Sequence, residues 1–129
     1  MLRETNRIML EILLYFHQLP QHLLGMLLVR LFRATPVTRY GVAYYETTLN
    51  IGVSLGRYVI LHRHADRNSV LHEHGHQIQS VRQGWLYLLV VGLPSLIGNR
   101  IAYYAHKDDA WYYAQPWEKR ADQLGGVRR

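Results

Sequence analysis

Five consecutive residues, His72-Glu73-His74-Gly75-His76, constrain this chain more than any other stretch. They fit H-E-x-x-H, a spacing that carries chemistry only on a helix. Residues four apart sit on one helical face, so the imidazoles of His72 and His76 can reach a single metal ion. Glu73 is one residue along and rotated by about 100°. That sets its carboxylate beside an open coordination position, where it can act as general base. A chain with 8 histidines can produce such a window by chance, so the flanking sequence must supply the helix. It does: Asp66, Asn68 or Ser69 offers an N-cap, Gly84 offers a stop, and the predicted helix spans 69–83. Along it, Val70, His74, Ile78, Val81 and Trp85 recur at helical spacing and predict a core-facing stripe. That assignment turns His72 and His76 toward a cleft and makes His74 a buried, hydrogen-bonded residue rather than a ligand.

With Cys 0, thiolate ligands, disulfides and cysteine nucleophiles are all excluded, and a metal site must come from His, Asp and Glu. A catalytic zinc takes three protein ligands and keeps one position open. The helix continues Gln77-Ile78-Gln79-Ser80, which offers no further histidine at metzincin spacing. Downstream, Glu118 and Asp122 lie four apart on a short predicted helix over 114–124. One carboxylate can bind the metal while the other accepts the far N–H of a ligating histidine and fixes its tautomer. The competing reading takes Glu118, Lys119, Arg120 and Asp122 as a solvated charged face.

HEHGH followed by a Glu-x-x-x-Asp helix resembles the gluzincin, thermolysin-like group of zinc metallopeptidases. The resemblance implies His72 and His76 as zinc ligands, Glu73 as general base, Glu118 as third ligand and Asp122 as the partner of His72. The strings HEHGHQIQS, GWLYLLVVGLPSLI and WEKRADQLGG also resemble small bacterial and phage proteins of HExGHxxQS type and toxin-associated domains, which bring no substrate with them. The chain departs from the gluzincin pattern between His76 and Glu118, where an apolar segment replaces a simple active-site loop. No motif marks the transition-state-stabilising His or Tyr of that group. Tyr112, Tyr113 and His106 are the local candidates, with plain packing as the competing role in a chain of 10 tyrosines.

The whole reads as one α+β domain over 1–129, a minimal zincin-like fold, mostly helical, with a small antiparallel sheet beside the active-site helix. Residues 1–34 form an apolar helical region broken at Leu19-Pro20, because proline removes an amide donor and clashes with the preceding turn. Residues 38–62 form a β-hairpin region of two or three antiparallel strands, rich in aromatic and β-branched side chains, with Gly56 as a bulge. Val53 to Leu61 is expected to bind extended substrate by strand addition, or to be a structural hairpin. Arg57, Arg63 and Arg67 beside it would favour acidic substrates. Residues 85–105 form a second apolar helical segment, broken between Gly92 and Pro94. Lys107-Asp108-Asp109 is a loop.

Hydrophobic residues at 49% and charged residues at 19% suffice for a core and exclude a disordered tail. No apolar run reaches the ~20 residues of a spanning helix. Polar interruptions at Glu11, His17, Gln18, Gln21 and His22 argue against a signal peptide. Ile8 to Phe32 reads as a core helix pair or as a segment lying along a bilayer surface. Gly84 to Gly98 reads as a buried helix in preference to a membrane-dipping one. The net charge of +6 is spread without a basic stripe, so no nucleic-acid partner is expected. The expected function is a zinc-dependent metallopeptidase acting on a peptide or protein. The alternative is a catalytically inactive, zinc-stabilised binding module or a membrane-associated one.

Overall fold

A computed structural model describes residues 2–129. Two helices come first, α1 (Leu2–His17) and α2 (Leu19–Leu31), and Leu19-Pro20 opens the second, where a missing amide costs nothing. Four strands follow: β1 (Thr35–Arg39), β2 (Val42–Thr47), β3 (Gly52–Leu55) and β4 (Tyr58–His62). Then come α3 (Arg67–Gln83), a 3₁₀ turn (Gly84–Leu86), a π-helical turn (Leu88–Gly92), α4 (Leu93–Tyr104), α5 (Asp109–Tyr113) and α6 (Pro116–Gly125). The fold is α+β, with a small sheet among helices.

The sheet order is β1-β2-β4-β3. β1 and β2 form an antiparallel hairpin through Tyr40-Gly41, whose φ values of 54° and 74° suit a tight two-residue turn. β3 and β4 form a second antiparallel hairpin closed by Gly56-Arg57. Gly56 therefore serves a turn, with φ 64°, and not a bulge. The two hairpins join through β2 and β4, which run parallel, Tyr45 opposite Ile60 and Thr47 opposite His62. The sheet is thus mixed, not antiparallel throughout, and β1 begins at Thr35, outside the predicted strand region. Its apolar face, Val42, Tyr44, Val59 and Leu61, packs on Val70 of α3.

The helices depart further from expectation. Along α3, Val70 is buried, but Val81 is 43% and Trp85 62% exposed, so the predicted stripe does not face the core. The buried face is polar instead: His72, Glu73, Gly75, His76, Gln79 and Ser80. Apolar periodicity located the wrong side because neighbouring backbone and polar side chains, not grease, cover this helix. α2 repeats the pattern by burying Gln21, His22 and Gly25. Gln21 Nε2 donates to Ser80 Oγ at 3.0 Å and to the Gly84 carbonyl at 2.7 Å. Ser80 Oγ donates onward to Gln18 Oε1 at 2.7 Å. A polar chain therefore fastens α2 to α3. The segment 84–98, expected to be buried, buries only Gly84, Tyr87, Val91 and Gly98 and exposes most of its aliphatic side chains. Its sharp bend of 119° falls between Leu86 and Leu88, ahead of the Gly92–Pro94 break the sequence suggests.

Candidate metal centre

The centre is built where α3 and α6 meet at backbone distance. Asp66 caps α3 by accepting the Ser69 N–H at 2.8 Å, and Gly84 ends it with φ 57°. Gly75 lies directly against the Ala121 carbonyl, and Gly125 against the Leu71 carbonyl, leaving no room for a Cβ at either place. Two glycines, one per helix, let the axes close until short side chains span the gap.

Across that gap His72 Nε2 lies 2.8 Å and His76 Nε2 3.0 Å from the same oxygen, Glu118 Oε2. The three residues are among the most buried in the protein, 3%, 3% and 0% exposed. Their donor atoms fall within 4.8 Å of one another, close enough to share an ion. The outer nitrogens are also engaged. His72 Nδ1 donates to Asp122 Oδ1 at 2.8 Å, and His76 Nδ1 donates to Gln79 Oε1 at 2.6 Å. Gln79 Nε2 donates to the Trp117 carbonyl at 2.9 Å, which fixes its oxygen toward the ring. Arg129 clamps Asp122 from the other side, Nε to Oδ2 at 2.7 Å and Nη2 to Oδ1 at 3.2 Å.

Proton counting tests whether a cation fits. Two neutral imidazoles carry one N–H each, yet all four ring nitrogens face oxygen acceptors. With both Nδ1–H groups spent on Asp122 and Gln79, the two Nε2 lone pairs point at a carboxylate. Added protons or a divalent cation between them would relieve that opposition. Glu118 Oε1 is also buried and makes no well-formed hydrogen bond, with the Ser95 and Tyr112 hydroxyls close by. Two imidazole nitrogens and a carboxylate oxygen, with their outer nitrogens held, form a donor set suited to zinc.

The electrostatics bear on His76, Glu118 and Glu73. Burial pulls the His76 imidazole down, but the Glu118 hydrogen bond and the Glu73 and Glu118 charges outweigh it and push it up to about 9. Burial would raise Glu118, yet the His72 and His76 bonds hold it far below the usual carboxylate range. Glu73, 8% exposed, is pushed up by burial against the pull of the two imidazoles. Its Oε1 faces Gly52 of β3, 3.2 Å from where a side chain there would begin. β1 and β3 are the edges of the sheet, with β4 between β2 and β3, and on β3 the buried Ser54 carbonyl accepts from the Tyr87 hydroxyl at 2.8 Å. Of the Val53 to Leu61 segment, then, only the β3 half can take an added strand. Arg57, Arg63 and Arg67 are exposed.

The remaining sequence candidates divide. The Tyr113 ring meets His72 edge-on at 5.0 Å and carries Arg129 over its face at 3.5 Å. Tyr112 pairs its hydroxyl with Ser95 at 3.0 Å, and burial next to Glu118 keeps that hydroxyl protonated. His106 sits elsewhere, exposed with φ 54° beside Tyr103, Tyr104 and Lys107. His74 is half-buried and bonded to Gln77 Oε1 at 3.0 Å, outside the cluster. Sequence reasoning missed Gln79 and Arg129. Gln79 was legible in principle, since it follows His76 by three and shares its face; Arg129 carries no such spacing signal. Comparison of the chain with known protein families, curated proteins and solved structures gave no match.

Proposed function

We propose that the chain is a zinc-dependent metallopeptidase that hydrolyses peptide bonds with Glu73 as general base. One observation carries this reading: both Nε2 atoms of the H-E-x-x-H pair converge on Glu118 Oε2 while their Nδ1 atoms are held by Asp122 and Gln79. The gluzincin assignment of His72, His76, Glu118 and Asp122 is consistent with that convergence.

A zinc ion bound there supplies Lewis acidity, polarising the scissile carbonyl and lowering the pKa of water to about 7. The protein's own groups do the rest. Asp122 and Gln79 hold the rings in the tautomer that presents Nε2 inward. Glu73 takes the proton of the attacking water and delivers it to the leaving amine nitrogen as the C–N bond breaks. The Gly52–Val53 end of edge strand β3 is where an extended peptide can add to the sheet. Tyr112 and Tyr113 are the hydroxyls beside the centre that can donate to the developing oxyanion.

The test couples metal analysis with digestion of a broad peptide library. Wild type is expected to hold about one zinc per chain, and Glu118→Ala far less. Glu73→Gln should keep the metal and lose cleavage. Equal zinc in Glu118→Ala would move the third ligand elsewhere, and cleavage that survives Glu73→Gln would end the peptidase reading. The burial of Glu73 and Glu118 favours a second reading, a zinc-stabilised module without turnover. It predicts retained metal, no cleavage by wild type and unfolding by chelator.

A further inference from the structure

We propose that the apolar face of α1, α2, the 84–92 turns and α4 seats the protein in one leaflet of an anionic lipid bilayer, without spanning it. The proposal goes beyond the peptidase reading and does not depend on it. It begins with polarity. In the sheet half, apolar residues are inside, as water demands. In the helical half the order is reversed: α2 buries Gln21, His22 and Gly25, and α4 buries only Gly98. Outward on these elements stand Leu13, Phe16, Leu27, Leu89, Leu96 and Ile101, between 46% and 66% exposed. An apolar surface of this breadth needs an apolar neighbour.

The patch is continuous. Trp85 Nε1 donates to the Phe16 carbonyl at 2.9 Å, and His17 Nε2 donates to the Val81 carbonyl at 3.0 Å. These bonds join the α1–α2 surface to the one that runs on through residues 84–104. Charge then selects the occupant. On α1 the charges cancel, Arg3 and Arg7 against Glu4 and Glu11, but α2, its exit and residues 82–107 carry Arg30, Arg33, Arg82, Arg100 and Lys107 with no Asp or Glu among them. A basic fringe on a greasy face matches anionic headgroups over acyl chains. Exposed Trp85, Tyr103 and Tyr104 are of the type that settles at headgroup level.

Shape sets the depth. No described helix is long and apolar enough to cross a membrane alone, and the two helix pairs that reach the length together are bent by 77° and 119°. In the proposed seating both bent pairs re-enter one leaflet, and a fluid leaflet conforms to both, which one rigid partner surface would have to match at once.

The test uses the full chain, freed of detergent in the presence of phosphatidylcholine vesicles with and without about one-third phosphatidylglycerol, and separated by flotation. Wild type is expected to float with both and more completely with the anionic vesicles. Lipid-borne quenchers should dim its fluorescence more than that of Trp85→Phe. The variant Leu13→Glu/Leu27→Glu/Leu89→Glu/Leu96→Glu changes only exposed side chains. It should keep its circular dichroism and lose vesicle binding at least tenfold. Failure of wild type to float, equal flotation of the quadruple variant, or a stable lipid-free dimer that shields Trp85 would each overturn the proposal.

Discussion

Four ring nitrogens, all facing oxygen, make the centre a place where protons and a cation compete, and the direction of that competition follows from the shifts. In the metal-free protein His76 is held up to about 9 from 6.5. Its contribution to stability is full below about 6.5 and is lost as pH rises through about 9. Glu118 is held down, so its contribution is present above its ordinary 4.5 and lost in strong acid. With chelator present, the melting temperature should fall between pH 7 and pH 9.5. Zinc affinity should instead rise over the same interval, because metal must displace the imidazole protons. Melts and zinc titrations across that range read both slopes; parallel slopes would refute the shared site. Asp122→Asn keeps the shape around His72 but weakens the carboxylate partner, and zinc affinity should drop about 10- to 100-fold. Spacing marked His72, Glu73 and His76 directly, and offered Glu118 with Asp122 as a pair for which a solvated charged face was the competing reading. Arg129 was illegible because its tie to Asp122 is made by the fold, not by helical periodicity.

Between elements, what matters is the closeness of α3 and α6. A methyl at Gly75 would meet the Ala121 carbonyl head-on. Gly75→Ala should therefore push the helices apart, cost about 1–3 kcal/mol and weaken zinc binding by drawing Glu118 away from both rings. Gly98 has open space where its Cβ would go, and Gly98→Ala should stabilise α4 by about 0.5–1 kcal/mol. Denaturant midpoints of the pair separate close approach from simple propensity. The α3 boundaries were readable because Asp66 and Gly84 are local punctuation. Its buried face was not: the periodicity of Val70, His74, Ile78, Val81 and Trp85 is real, but it marks a side that is only partly covered. The parallel pairing of β2 with β4 escaped notice for a related reason, since adjacent hairpins give no local sign of how they join.

At the scale of the molecule, a metal ion in the proposed site would tie the middle of the chain to its last helix, because α3 and α6 both supply its ligands. Zinc at about a hundred times its Kd should add about 2.7 kcal/mol of stability, on the order of 10 °C in melting temperature, reversed by chelator. A metal-independent melt would show that the cluster is held by protons alone. The helical pair α1–α2 meets the rest in two ways: Gly25 and His22 of α2 lie against Tyr58 and Gly56 of the second strand hairpin, and polar side chains tie it to α3. That second link, through Gln18, Gln21 and Ser80, is a run of hydrogen bonds. Fastenings of this sort answer to their surroundings: water loosens them by offering substitutes, and hydrocarbon, which offers none, tightens them. In plain buffer the α1–α2 pair should be the first part to swing away, and Arg30 and Arg33 at its root the first sites cut by added trypsin.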